Sequence, residues 1–273
     1  MVRSTRRRKG ASTAIELAVK GGIATVTLNR PEVRNAIDDG MRAELVEVLD
    51  YVSRDDELRA LVLTGNGSAF CSGGDIARMQ DRLKAPRGKV AFNGWNPHKR
   101  THQVITSLHG MGKPKIAAVN GAAAGLGCDL ALACDFILAA DTTSFSMSFI
   151  PRGVVPDGGG LYFLPRRVGL AQAKELIFSG RRVAASEALQ LGLVDHVCAP
   201  DRLMDEARGM AQQMSKGSPA ALALAKAILD KSYELTEEQV LALGRQAQAI
   251  CYTTTEHRDA AKAFLDKPRK KAK

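Results

Sequence analysis

No stretch of this chain approaches the roughly 18 consecutive apolar residues that a membrane-spanning helix requires. The basic stretch Met1–Gly10 is followed by no apolar segment of the kind a secretory signal carries, so a cytoplasmic protein is expected rather than a secreted or membrane-inserted one. Cysteine is sparse and scattered. Cys71, Cys128, Cys134, Cys198 and Cys251 form no CxxC pair and no even framework, which argues against a disulfide scaffold and suits a reducing compartment. The histidines (His98, His102, His109, His196, His257) show no metal-ligand spacing. His98 and His102 stand four apart, but at the edge of a segment that reads as a loop, where they are expected to be a surface pair. Neither a metal nor a separate cofactor is expected. Aromatic residues make up only 5% of the chain, too few to suggest the stacking platforms of single-strand nucleic-acid binders.

The net charge of +10 raises the nucleic-acid question again, and its location answers it. Arg3, Arg6, Arg7, Arg8 and Lys9 lie in residues 1–10, and Lys267, Arg269, Lys270, Lys271 and Lys273 in residues 267–273, with no acid in either stretch. Between them the chain carries 29 basic and 29 acidic side chains and is formally neutral. The basicity therefore belongs to two short ends, which read as solvated tails. Transient binding of RNA or another polyanion by those ends is the alternative from a different functional class.

With 45% hydrophobic residues, the interior of the chain can bury a substantial core. Residues 14–19 and 23–28 are β-prone runs flanking Lys20-Gly21-Gly22 and predict a hairpin. Met41, Leu45, Val48, Leu49 and Val52 recur at helical period. Strands are predicted at 60–64, 115–120 and 136–139, and helices after Asp75, at 101–108 and from about 124 to 133. Pro86, Gly88, Gly94 and Pro97 make 84–100 a predicted mobile loop. Beyond about Asp201 the character turns helical, at 203–214, 219–229, 236–251 and 255–265. The organisation read from this is an α/β chain of repeated ββα-like units: a basic, disordered tail (1–13), a core domain (14–200), a helical region (201–266) and a second basic tail (267–273). The helical region is too thin to stand alone and should pack on the body or on a neighbouring copy.

Two glycine-rich segments stand where a strand feeds a helix. One is Phe70-Cys71-Ser72-Gly73-Gly74-Asp75-Ile76. The other runs from Asn120-Gly121 through Gly125-Leu126-Gly127 to Asp129. Glycine lets the backbone turn sharply and a ligand approach its amides, and the first amides of a helix lack internal partners. Two such turns converging on one point make an oxyanion hole, in which a single donor is worth about 2.7–4 kcal/mol of barrier. Neither segment fits GxGxxG or GxxxxGK[ST], and either alone reads equally well as a tight turn.

In order, however, Asn29-Arg30-Pro31 with Arg34-Asn35-Ala36-Ile37, Phe70–Ile76, Lys113–Gly121 with Gly125–Asp135, Gly153–Gly160 and residues 185–194 resemble the crotonase (enoyl-CoA hydratase/isomerase) family. The resemblance covers roughly residues 14–265. It implies a crotonase-like spiral of ββα units with a helical C-terminal trimerisation region, assembly as a homotrimer or a hexamer of two trimers, and stabilisation of an enolate formed from an acyl-CoA thioester, coenzyme A being part of the substrate. By position it implies the amides of Gly74 and Leu126 as the oxyanion hole. It implies substrate contacts from Arg34, Ala36, Ser72, Gly73, Asp75, Ile76, Gly125, Phe149 and Pro156. Leu126 departs from the smaller residue common in relatives.

The family's hydratases resemble a two-glutamate machine. Here the first position is Asp129 and the second is Phe149, which transfers no proton. A carboxylate returns eight residues later as Asp157, within Pro156-Asp157-Gly158-Gly159, as in the family's double-bond isomerases. The expectation is an isomerase in which Asp157 moves the proton with Asp129 assisting, and a hydratase in which the two position water is the alternative. Asp75 is expected to cap the helix after it, and Asp135 to end the helix of the second turn. Cys71 and Cys128, with no histidine nearby in sequence, are not expected to act as nucleophiles.

Overall fold

A computed structural model of the chain describes residues 13–75, 80, 84 and 86–266, with the side chains of residues 87 and 90–97 excepted. Both basic tails therefore lie outside the described residues, as do Ile76 and the helix expected after Asp75.

The predicted hairpin is β1 (Ile15–Lys20) against β2 (Ile23–Leu28), in antiparallel register with Lys20 opposite Ile23. Gly21 and Gly22 both sit at positive φ, 58° and 75°, as the favoured two-residue hairpin turn requires. Helix α1 (Asp39–Arg54) starts at Asp38, whose side chain accepts from the Met41 amide at 2.8 Å and so satisfies one of the orphan donors of the first turn. Its buried stripe includes Met41, Leu45, Leu49 and Val52.

From there the chain winds in repeating steps. Strand β3 (Ala60–Gly65) leads into the short β4 (Ala69–Cys71), β5 (Lys115–Val119) into β6 (Ala122–Ala124), and β7 (Phe136–Ala140) into β8 (Ser144–Ser146). The long strands join a six-stranded sheet in the order β1-β2-β3-β5-β7-β10, parallel except for the hairpin, with β10 at His196–Cys198. The short strands form a second sheet, β4-β6-β8-β9, with β9 at Val183–Ala184. After β6 comes α3 (Leu126–Leu132), and after β8 come α4 (Gly160–Val168) and α5 (Leu170–Ser179); α6 (Ala185–Gln190) follows β9. The near-continuous apolar runs of β3 and β5 follow from burial on both faces.

The loop expected across 84–100 is corrected. Helix α2 runs from Arg87 to His109 and takes in Gly88, Gly94 and Pro97. Local breakers are outweighed by packing: Val104, Ile105 and Leu108 are buried, and Arg42 Nε on α1 donates to Thr101 Oγ1 at 3.0 Å in the interior.

On the other face of the large sheet lies α7 (Leu203–Met214). Its Leu203, Ala207 and Ala211 pack on Ile23, Ala60, Val62, Ile116, Ala118 and Leu138, the small residues at i and i+4 allowing a close approach. Helices α8 (Pro219–Leu229), α9 (Glu237–Tyr252) and α10 (Thr255–Leu265) contain no fully buried residue. Ion pairs contribute to their tie to the body, beside the close approach of Ala223 to Gly112 and the hydrogen bond from Tyr162 Oη to the Asp230 carbonyl. Lys226 Nζ on α8 stands 2.5 Å from Asp135 and 2.9 Å from Asp230. Asp135 also accepts from the Lys115 amide at 2.9 Å and pairs with the buried Lys115 ammonium at 3.2 Å. Burial holds Lys115 down at about 8, partly countered by Asp135. Asp135 was expected to end the helix of the second turn. That helix stops at Leu132, and Asp135 instead joins the core to α8.

Candidate active site

The first turn is built on Asn35. Its side chain is fully buried and its backbone is left-handed at φ 56°. Oδ1 accepts from the Arg30 amide at 2.9 Å, and Nδ2 donates to the carbonyls of Asn66 (2.9 Å) and Ala69 (2.8 Å). This frame sets Ile37 beside the glycines, where its amide donates to the Gly73 carbonyl at 2.8 Å and its carbonyl accepts from Asp75 at 3.1 Å. In such a parallel bridge the residue between the two bonded groups points its own amide away, so the Gly74 N–H faces the opposite side.

The second turn follows β6. Gly125 adopts φ 52°, ψ −122° and donates to the Ser146 carbonyl at 2.9 Å. Leu126 is the first residue of α3, so its amide has no partner within the helix. The two turns touch through Gly73. A Cβ there would stand 2.9 Å from the Ala124 carbonyl and 3.6 Å from the Leu126 nitrogen, and Gly73 sits at φ 101°. Only glycine allows this approach. The Leu126 side chain leans over Gly158, since a Cβ on Gly158 would come within 2.6 Å of its Cδ1.

Asp129, on the first turn of α3, is wholly buried, and neither of its carboxylate oxygens completes a hydrogen bond among the described residues. Its carboxyl is pushed up to about 8, chiefly by burial and then by the charge of Asp157. The amides of Gly158 and Gly160 lean toward it and partly oppose the shift, short of completed bonds. Asp157 lies in the turn before α4 with its side chain 31% exposed, though Oδ2 itself is sealed from solvent. His98 Nδ1 approaches that oxygen to 2.5 Å, off the line of a regular hydrogen bond, and His102 Nε2 stands 3.9 Å from it. The two are exposed, as expected of a surface pair, but they stand on helix α2 and not at a loop edge, beside Asp157. On a helix, i and i+4 share a face, and the sequence placed these residues in a loop.

Phe149 packs against the core, its ring facing Gly125, and Ser148 Oγ beside it is buried without a partner. Pro156 is buried against the Gly160 backbone. Arg34 is exposed at φ 53°, and its carbonyl accepts from Ser72 at 3.0 Å. Ser72 is exposed and donates through Oγ to Val33 at 3.3 Å, whereas Ala36 is buried. Asp75 pairs with Arg30 at 3.2 Å, and Arg30 also meets Asp38 at 3.1 Å. Burial raises the Cys71 thiol to about 12 and the Cys128 thiol also upward, so neither is a ready nucleophile. Among the described residues, His196, Cys198 and Glu206 form a separate surface cluster, its span closed by a 2.6 Å contact between His196 and Glu206.

Two glycine turns that meet at Gly73, with the buried Asp129 and the partly exposed Asp157 behind the second, form a candidate site in a crotonase-like fold. Residues 18–272 match the enoyl-CoA hydratase/isomerase family, and the chain belongs to that family. It is 36% identical to the 1,2-epoxyphenylacetyl-CoA isomerase of Escherichia coli over 249 residues, 91% of this chain and 94% of that one. It is 34% identical to the short-chain-enoyl-CoA hydratase of Clostridium acetobutylicum over 252 residues, 92% and 94% of the two chains. An enoyl-CoA hydratase/isomerase from Cupriavidus metallidurans superimposes with a TM-score of 0.86 at 36% identity, covering 94% of each chain.

Proposed function

We propose that this chain is an enoyl-CoA double-bond isomerase in which Asp157 carries the proton, Asp129 assists, and the amides of Gly74 and Leu126 hold the thioester oxygen. The observation that carries this reading is the pairing of Asp157 with Asp129 behind the second turn while position 149 is phenylalanine. A carboxylate on one wall can take a proton from one carbon of a bound acyl group and return it to another, with the enolate held by the two amides between the steps. Asp129, raised to about 8, is protonated near neutral pH and so serves as a hydrogen-bond donor beside Asp157; two carboxyl groups with environments that push them apart take different roles. Phe149 and the leaning Leu126 line the acyl side with apolar surface. Arg34, Ala36, Ser72 and Asp75, around the first turn, suit the coenzyme A moiety. The exposed Leu229, Tyr233, Leu241, Ile250 and Phe264 of the C-terminal helices suit burial against further copies, as a trimer or a hexamer of two trimers.

Asp157→Asn is expected to lower isomerisation by about 10²–10⁴-fold, the usual worth of a positioned acid or base, with acyl-CoA binding retained. Unchanged turnover removes Asp157 from the mechanism. The second reading, hydration, is favoured by the likeness to the clostridial hydratase. Incubation with a short trans-2-enoyl-CoA separates the two, because a robust yield of the 3-hydroxy product refutes isomerisation as the main activity.

A further inference from the structure

The imidazoles on α2 have no part in the scheme above. Their placement is held by one helix face. His98, His102, Ile105 and His109 recur at i, i+4, i+7 and i+11. Ile105 lies 3.5 Å from the position a Cβ on Gly159 would take, and the His109 ring stands 4.9 Å from the Phe163 ring. The face is thus packed along the turn that carries Asp157 and on to α4. Asp157 Oδ2 is itself closed to water, whereas His98 and His102 are 40% and 56% exposed. An imidazole therefore stands between a buried carboxylate oxygen and solvent, and imidazole can accept a proton at one nitrogen while releasing one from the other.

We propose that His98 is a proton relay for Asp157, so that the hydrogen delivered to the product comes from water and not from the substrate. This rests on the reading that Asp157 carries the proton. A C–H bond of the acyl chain breaks, its electron pair passes into the enolate, and the proton goes to Asp157. The Asp157 O–H then breaks as an Nδ1–H bond forms on His98, which starts with its hydrogen on Nε2, and the Nε2 proton leaves to water. The same steps reversed bring a solvent proton to Asp157 and on to the new carbon, with nothing oxidised or reduced. His98 acts through Asp157 and is a positioning residue. His102, at 3.9 Å, is the outer member. The 2.5 Å approach is not yet a regular hydrogen bond, and such bonds commonly tighten when substrate binds.

The test is isomerisation of a 3-enoyl-CoA in deuterium oxide, with product deuterium and turnover measured together on wild type, His98→Asn, His98→Gln, His102→Gln and Asp157→Asn. Unaltered thermal melting is checked for each variant. Most wild-type product should carry solvent deuterium at the newly protonated carbon. His98→Asn should isomerise within about tenfold of wild type, at unchanged KM, while its product deuterium falls several-fold. His98→Gln serves if the asparagine variant fails to fold. The proposal is overturned if wild-type product keeps the substrate hydrogen, or if both His98 variants label like wild type, including when only turnover or KM changes. It is also overturned if label loss follows His102 and not His98. Failure of the underlying reading looks different: wild type yields only 3-hydroxy product from a 2-enoyl-CoA, or Asp157→Asn isomerises at the wild-type rate.

Discussion

Replacing Asp129 by asparagine keeps the shape of the side chain and removes its proton equilibrium. The wild-type carboxyl is wholly buried, its oxygens complete no hydrogen bond, and it titrates near 8 against an ordinary 3.8. Between about pH 4 and pH 8 the folded chain therefore keeps a proton that the unfolded chain has lost. Such a group weakens the fold progressively as pH rises through that window, and not below it. At 1.36 kcal/mol per pH unit the penalty is about 2 kcal/mol at pH 5 and about 6 kcal/mol at pH 8.5. Both figures are ceilings, because relaxation and water entry reduce the cost of a buried charge. Asparagine carries no such penalty. Urea unfolding of Asp129→Asn against wild type, at one protein concentration so that assembly affects both alike, should show an advantage for the variant that widens by about 2–3 kcal/mol from pH 5 to pH 8.5. With a slope near 3 kcal/mol/M, that is about 1 M in the difference between midpoints. A gap that stays flat with pH, or closes, refutes the argument, because it means that Asp129 ionises in the folded state as it does in water.

Two further substitutions test the frame around that site. Gly73→Ala places a Cβ 2.9 Å from the Ala124 carbonyl at φ 101°. It should cost about 1–3 kcal/mol and, by forcing the two amide-bearing turns apart, lower turnover about 10²-fold; wild-type kinetics would disprove the convergence of the turns. Lys226→Met removes the cation that ties α8 to Asp135, and loss of one member of a buried pair costs about 3 kcal/mol. Amide hydrogen exchange should accelerate across residues 219–265 while the core strands stay protected, and uniform exchange would show that the ionic tie is dispensable.

Much of the fold is legible where local and tertiary signals agree. The hairpin around Gly21 and Gly22, and the helices at 203–214, 219–229 and 255–265, sit where periodicity and turn chemistry put them, helped by caps such as Ser218 before Pro219 and Thr254 before α10. The first half of α2 is not legible, because Gly88, Gly94 and Pro97 signal a loop over 84–100, whereas its 101–108 stretch reads as helix from the sequence; the buried Val104, Ile105 and Leu108 and the Arg42–Thr101 bond hold the whole helix in place. The two- and three-residue strands of the second sheet are too short for any alternation to register. Asn35 shows what sequence reading misses for another reason. A polar residue after Arg34 looks like ordinary turn chemistry, and its bonds to the distant carbonyls of Asn66, Ala69 and Phe70 exist only in the closed fold.

The glycine turns and the carboxylates differ in how far they determine the chemistry. On the proposed reading the turns hold a thioester oxygen, a requirement common to hydration and isomerisation. What distinguishes those reactions is how many carboxylates reach the acyl carbons and where their protons can go. Phenylalanine at 149 removes one acid from the wall facing Gly125, and the Pro156–Gly160 turn brings another in beside Asp129. Burial, and then the charge of Asp157, raises Asp129, and on the proposed reading Asp157 is left as the base. The loop-like segment that opens α2 then supplies His98 at the same oxygen. Asp157 Oδ2 has no direct route to water, although the side chain as a whole is 31% exposed. The proposed relay gives that oxygen a route through the imidazole, so loss of product deuterium in the His98 variants distinguishes exchange through the histidine from exchange at the carboxylate itself.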